Sequence, residues 1–557
     1  MLLRLELVLL YIMILLIFTT ARHVDVIELS DIESYPFYYL LVQPMTTWVA
    51  IPVIAFMVML SSRSSYRLVA VLSLAFIIEF LPSFMMVNPW LPDQYPYLSE
   101  AYWIYLHGKI SDVHRLSTVP GLGLLYGIFE ITINLDPFII SKAFSFVQAI
   151  ALVVMLAPLS KKLANNEALL PLLFISFNYF AQINVFHRAA LHFTYTLVLI
   201  YLISTISNNR HLEWRHLLAS TVIFCAMVLT YPGSGFVLVS ITIAYVLSYI
   251  IGKGFLTTLK LLIFIFLVIF GVWYIYTAWS EIRIAGSIWD SLMKVLKLEL
   301  SAMESATHPY STGLTPLFKT IVYVRLVIEG GVIAMGFLVA SYKYVQAVIS
   351  YFKREDSDIP FAYTLTLASL IAPAPWLLTE WSRWSFYKFS AYFLLFSLMS
   401  LVSYAYLQHR LRRSAKTLLL FVRVSAIFII TIALLLVPLL RYASIPYLHV
   451  TTSELSTMFF VHKYFTFNQG CYYLEYAPYT LPRLIVYGEM SHDVSSMYWF
   501  ENLSLGLYVL TDRALTREGF YVYPQPLQEK LRELESYMVI QGSRVYDSRY
   551  NRIHYLG

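Results

Sequence analysis

Charge is scarce in this chain of 557 residues: 13% are Asp, Glu, Lys or Arg, against 59% that are hydrophobic. So little charge excludes the string of soluble domains that the length alone would permit. Cysteine is scarcer still. Cys225 lies inside an apolar run and Cys471 in a polar stretch, which excludes a disulfide framework and a cysteine-based metal centre. No internal repeat or low-complexity stretch is evident, so the inverted repeats of many transporters find no support. The net charge of +6 is small and scattered; it offers nucleic acid no basic surface and is better explained by basic loops beside a membrane.

What the chain has in abundance is long apolar runs, with a mean hydropathy of +0.67. Runs at about 2–20, 44–61, 68–87, 137–160, 168–186, 190–207, 215–232, 236–252, 256–278, 320–343, 359–378, 386–408 and 417–440 approach the roughly 20 residues a bilayer-crossing helix needs. The sequence therefore predicts an all-α polytopic membrane protein of about thirteen transmembrane helices. The first run has Arg4 at its start and no small-residue cleavage site after it, so it reads as an uncleaved helix rather than a signal peptide. With the N-terminus inside, one set of loops receives Arg63 and Arg67, Lys161 and Lys162, Arg210 and Arg215, Lys253, Lys353 and Arg354, and Arg410 to Lys416. Every cluster is basic, as the positive-inside bias requires. The expected location is a multi-pass protein of the cell membrane with a cytoplasmic N-terminus.

That orientation places three segments outside. An outer loop spans 88–136, and its apolar part Val119 to Ile133 is too short to cross and reads as an interfacial helix. A second outer loop spans 279–318. The third segment, 441–557, reads as a small α/β extracytoplasmic domain. In it Arg483 to Tyr487 and Leu505 to Leu510 have strand character, Leu527 to Tyr537 is an amphipathic helix, and Ser543 to Tyr555 is a hairpin turning at Asp547 to Asn551. The expected divisions are thus two additional N-terminal helices in 1–67, a membrane core in 68–440, and the outer domain. Asn502-Leu503-Ser504 is a glycosylation sequon in that domain.

The few charges gather at the outer face. Asp93 follows the third apolar run, between Pro89, Pro92 and Pro96, which stiffen its approach. Tyr95, Glu100, Trp103, Asp112 and His114 come close behind it. Asp93 is the strongest candidate for a base at the membrane mouth, with Asp112 and Glu100 as its deputies. Its plain alternative is a solvated residue capping a helix that begins near Tyr95. Arg188, Arg283, Arg383 and Lys388 are the cations at outer helix ends. Such groups suit a phosphate, Arg by forked contacts and Lys as a point charge; they suit snorkelling to headgroups equally. Glu380 and Arg383 could also close a rim salt bridge. Glu79 is an ionisable group inside a span, a costly position that is often functional; two turns from the outer end, it is read as facing a wet cavity.

Four pieces of this loop carry a resemblance: Pro92-Asp93-Gln94-Tyr95, the aromatic stretch Ala101 to Gly108, Val119-Pro120-Gly121-Leu122-Gly123, and Asn134-Leu135-Asp136-Pro137. Their order is similar to the first outer loop of membrane-integral C-type glycosyltransferases, the protein mannosyltransferase and aminoarabinose transferase-like superfamily. There an acid after a transmembrane helix precedes an aromatic helix, a glycine turn and an interfacial helix. The resemblance covers 68–440 in architecture. It implies a polyprenyl-phosphate sugar donor, such as a dolichyl phosphate, transfer at the outer face, and a glycan, lipid or protein as acceptor. It implies Asp93, Asp112 and Glu100 as catalytic candidates, Arg383, Lys388, Arg188 and Arg283 at the donor phosphate, and Tyr95, Trp103, His114 and Glu380 lining the substrate. The family's second acid is absent, since Gln94 follows Asp93; a divalent metal is therefore compatible with the site but not required, and no other cofactor is implied. The oligosaccharyltransferase signature Trp-Trp-Asp-Tyr-Gly is missing. Two other classes remain open: a lipid or sugar transporter (flippase), which predicts polar residues in mid-membrane, and a non-catalytic membrane scaffold.

Overall fold

The computed structural model describes residues 2–21, 42–61, 63–87, 94–110, 120–134, 137–179, 187–206, 214–251, 256–276, 316–354, 359–374, 382–411 and 416–442, and the strands 471–474, 494–496, 506–511, 543–547 and 551–556. The helices are α1 (Leu2–Thr20), α2 (Met45–Leu60), α3 (Ser64–Met85), α4 (Gln94–His107), α5 (Gly121–Ile133), α6 (Pro137–Ala164), α7 (Leu169–Phe177), α8 (Arg188–Ile206), α9 (Trp214–Thr230), α10 (Ser234–Ile250), α11 (Leu256–Tyr276), α12 (Pro316–Phe352), α13 (Phe361–Ile371), α14 (Ser382–Leu411) and α15 (Lys416–Tyr442). Each apolar run of the sequence coincides with one of them, and seven are long and apolar enough to cross a membrane unaided. The chain is an α-helical membrane protein. Within the run at 168–186, α7 ends at Phe177 with Asn178 as its C-cap, and 180–186 lie outside the described residues.

Burial separates centre from rim. Of the apolar window of α14, 72% is buried, against 17% for α12, so α14 runs through the middle of the bundle and α12 along its edge. Phe236 of α10 packs on Phe389 and Tyr392 of α14 at ring separations of 4.6 and 5.6 Å. Between α13 and α14, Thr366 Oγ1 meets Ser400 Oγ at 2.5 Å and the Phe396 carbonyl at 2.6 Å. Such hydroxyl contacts hold helices together where lipid tails give apolar faces no reason to associate.

The two ends of the bundle differ in polarity. At one end Glu167 takes a hydrogen bond from Ser64 Oγ (2.5 Å) and pairs with Lys161 Nζ at 2.7 Å, while Lys162 reaches the Ser204 carbonyl. The starts of α3 and α7 and the ends of α6 and α8 thus meet there. At the other end lie α4 and α5, described below.

Glu79 departs from its expected wet cavity. It sits in a π turn, Phe76–Phe80, within α3. Pro82 follows, and its missing N–H cannot serve the Ile78 carbonyl, which favours the wider turn. There Glu79 Oε1 accepts a hydrogen bond from Arg441 Nη1 at 2.7 Å, with both side chains buried. The pair joins α3 to the last turn of α15.

Five strands follow the helices: β1 (Cys471–Leu474), β2 (Val494–Ser496), β3 (Gly506–Thr511), β4 (Ser543–Asp547) and β5 (Asn551–Leu556). They form one sheet in the order β2-β1-β3-β5-β4. β1 runs parallel to β2 and β3, while β3 and β4 run antiparallel to β5. The β4–β5 hairpin is the one the sequence indicates, and β3 covers the expected strand at 505–510. β1 and β2 are additions. Arg483 to Tyr487, Leu527 to Tyr537 and Asn502 lie outside the described residues.

Candidate functional site

The site is built on two short helices. α4 tolerates Pro96 because a proline in the first turn removes an N–H that has no intrahelical partner. It ends where Gly108 adopts φ +66° and its N–H reaches the Ile104 carbonyl at 2.8 Å, the left-handed cap that glycine favours. α5 ends similarly at Asn134, φ 54°, whose side-chain oxygen accepts a hydrogen bond from Tyr105 of α4 at 3.2 Å. Gly123 and Gly127, one turn apart, let the two helices close on each other. A Cβ at Gly123 would lie 2.7 Å from Cδ of Glu100, and one at Gly127 would lie 2.7 Å from Cγ2 of Ile104. The face of α5 turned away from α4 exposes Ile128, Phe129, Ile131 and Ile133, as an interfacial helix should.

Glu100 is thereby sealed in, with 1% of its surface exposed. Its Oε1 has no hydrogen-bond partner among the described residues. Burial pushes its carboxyl up to about 8, against the opposing pull of the Arg188 guanidinium. Near neutral pH the carboxyl is therefore mostly protonated.

Arg188 opens α8 and stands between two aromatic rings, 6.0 Å from the centre of Tyr97 and 5.5 Å from that of Tyr231. Rings at this range favour a cation over their faces. Its neighbour His187 caps the helix: Nδ1 accepts a hydrogen bond from the Ala189 N–H at 3.0 Å. The ring proton must then sit on Nε2, which donates to the Tyr97 hydroxyl at 3.1 Å. One turn into the helix, His192 is fully buried, with Nδ1 2.5 Å from the Tyr392 hydroxyl and its ring edge-on to Tyr231 at 5.4 Å. Residues from α4, α8, α14 and the α9–α10 turn thus converge at one end of the bundle.

Of the residues singled out in the sequence, Glu100 and Arg188 come together here. Tyr95 is completely buried, its ring edge-on to Phe138 at 6.1 Å, so it anchors the start of α4. Gln94, which takes the place of a second acid, is buried as well and accepts a hydrogen bond from Ser141 Oγ at 2.6 Å. Trp103 stacks on His107 at 3.9 Å, farther along α4. Arg383 and Lys388 fall within the first turns of α14, their side chains outside the described residues. Asp93, Asp112, His114, Arg283 and Glu380 also lie outside the described residues. Among the described residues no group of three or more His, Cys, Asp or Glu side chains could hold a metal ion. Tyr97, His192, Tyr231 and Tyr392 escaped the sequence reading. His192 carried a signal, being a polar residue inside an apolar span, one turn from Arg188.

No family model and no curated protein matches the sequence. Solved structures do match. The apo oligosaccharyltransferase of Archaeoglobus fulgidus superposes with a TM-score of 0.52 at 12% identity, over 83% of this chain and 72% of that one. The oligosaccharyltransferase AglB of the same organism, in complex with an inhibitory peptide and a dolichol-phosphate, gives 0.49 at 13% identity, over 76% and 64%. ArnT of Cupriavidus metallidurans bound to undecaprenyl phosphate gives 0.42 at 11%, over 87% and 97%. At such identities the likeness speaks for architecture alone, and the first of the three carries it. The chain has the membrane-integral C-type glycosyltransferase fold.

Proposed function

We propose that this protein is a glycosyltransferase of the outer membrane face, moving a monosaccharide from a polyprenyl phosphate to a glycan, lipid or protein acceptor. The observation that carries the reading is the pairing of a caged cation, Arg188 between Tyr97 and Tyr231, with the buried carboxyl of Glu100 at one end of a bundle of this fold. A guanidinium held at a helix start beside the membrane boundary suits a lipid phosphate. Arg283, Arg383 and Lys388 are assigned to the same anion.

The chemistry divides between two acids. Glu100 holds its proton near pH 7, so it serves as a hydrogen-bond donor and not as the base. The base is Asp93, just before α4. Its carboxylate takes the proton of the acceptor hydroxyl as that oxygen attacks the anomeric carbon. The bond from that carbon to the phosphate oxygen breaks on the opposite side and inverts the centre. The phosphate leaves with the electron pair, and the cations stabilise the charge it gains. Asp93→Asn tests this assignment. The change is nearly isosteric and should leave expression and folding intact while lowering kcat by about 10²-fold or more. Near-normal turnover of a polyprenyl-phosphate sugar by this variant would remove Asp93 as the base.

A further inference from the structure

The hydrogen bonds around His192 fix which of its nitrogens is left over. Nδ1 lies 2.5 Å from the Tyr392 hydroxyl, which can serve it as donor or acceptor. One turn on, Thr196 Oγ1 donates to the His192 carbonyl at 2.9 Å. Nε2 is the nitrogen that remains. It is fully buried and has no hydrogen-bond partner among the described residues. A buried polar nitrogen without a hydrogen bond is destabilising, and native chains rarely keep one without a reason.

Position supplies the reason. His192 is four residues after Arg188 on the same face of α8, and Tyr231 touches both, its ring 5.5 Å from the Arg188 guanidinium and 5.4 Å from the imidazole. One helical turn is a rise of about 5–6 Å, comparable to the span from a glycosyl phosphate group to the hydroxyls of its sugar ring. With the phosphate at Arg188, a hydroxyl of the attached sugar falls at the level of Nε2.

Resting on the glycosyltransferase reading above, we propose that His192 Nε2 is a sugar-binding group that forms a hydrogen bond with a hydroxyl of the donor's sugar. Tyr392 is a positioning residue that holds the imidazole through Nδ1.

The test compares two lipids on the full-length protein in lipid nanodiscs: a short-chain polyprenyl phosphate, bare and carrying mannose or glucose. His192→Phe should weaken the sugar-bearing lipid by about tenfold, the worth of one hydrogen bond, and leave the bare phosphate unchanged. His192→Gln, whose amide can donate or accept in place of Nε2, should keep most of the sugar-dependent affinity. Arg188→Ala should weaken both lipids. If His192→Phe fails to fold, Tyr392→Phe serves in its place, because it releases Nδ1 and should cost the same selectivity. Equal affinity changes for the two lipids, or none, would overturn the proposal while leaving the glycosyltransferase reading intact. A wild-type protein that binds neither lipid would sink both.

Discussion

Two glutamates in this protein are equally buried and chemically opposite. Glu79 and Glu100 each expose 1% of their surface. Glu79, in a π turn, meets the Arg441 guanidinium at 2.7 Å. Glu100, under a glycine, has an oxygen without a hydrogen-bond partner among the described residues and feels Arg188 only at a distance. Burial alone therefore says little about what an acid does inside a membrane protein. The direct ion pair makes one a pin between α3 and α15. The lack of one leaves the other a weak acid that can change its protonation in the working pH range.

The comparison breaks first at the pin. Arg441→Met should lower stability by about 3–5 kcal/mol, since it strands a buried carboxylate; thermal unfolding in detergent would show it as a large fall in Tm. Pairing Arg441→Met with Glu79→Leu should recover most of the loss, because a well-packed apolar pair can replace a buried ion pair. A double variant as unstable as the single one would show that the contact is not what holds these helices.

At the other glutamate the larger effect belongs to its cation. Arg188→Ala should weaken binding of a polyprenyl-phosphate donor by about 1.5–3 kcal/mol, the worth of a hydrogen bond to a charged group. Acceptor dependence should change less. Steady-state kinetics that vary each substrate in turn would separate the two, and an unchanged donor KM would remove Arg188 from the phosphate.

Next comes the roof. Gly123→Ala sets a methyl 2.7 Å from the Glu100 carboxyl carbon, and overpacking of this kind is worth about 1–3 kcal/mol. Gly123→Ala combined with Glu100→Ala should relieve it. The most gradual effect is the titration of Glu100 itself, spread over several pH units. Its carboxyl is raised to about 8 in the folded protein, so the folded state holds a proton that the unfolded state releases near pH 4.5. Stability should therefore fall as pH rises between those values, by at most about 1.4 kcal/mol per pH unit, and level off above them. Glu100→Gln should flatten that slope in Tm measured against pH. A slope unaltered by the substitution would place the proton elsewhere.

The sequence showed the helices far better than the pairings. Apolar runs near the thickness of a bilayer announce themselves, and each one coincides with a helix. The β4–β5 hairpin was equally legible from local pattern alone. The ion pair was not: Glu79 and Arg441 are 362 residues apart, and no local signal links them. Nor could the π turn be read, because Pro82 predicts a disturbance in α3 but not its form. In the site, Arg188 and Glu100 were visible as charges in a greasy chain. Their surroundings were hidden, since Tyr97, Tyr231 and Tyr392 look like any other of the chain's 44 tyrosines until two helices and the α9–α10 turn bring them together.

The contact between Gly123 and Glu100 also leaves a trace that outlasts sequence similarity. Because α4 and α5 close on each other where side chains are missing, a chain that keeps this hairpin should keep a pair of small residues like Gly123 and Gly127, in the pattern Gly-x-x-x-Gly. Loop length can drift, but the four-residue spacing of the pair is fixed by helical geometry. That short fingerprint, placed after a membrane helix, can be sought in chains whose overall identity to this one is low.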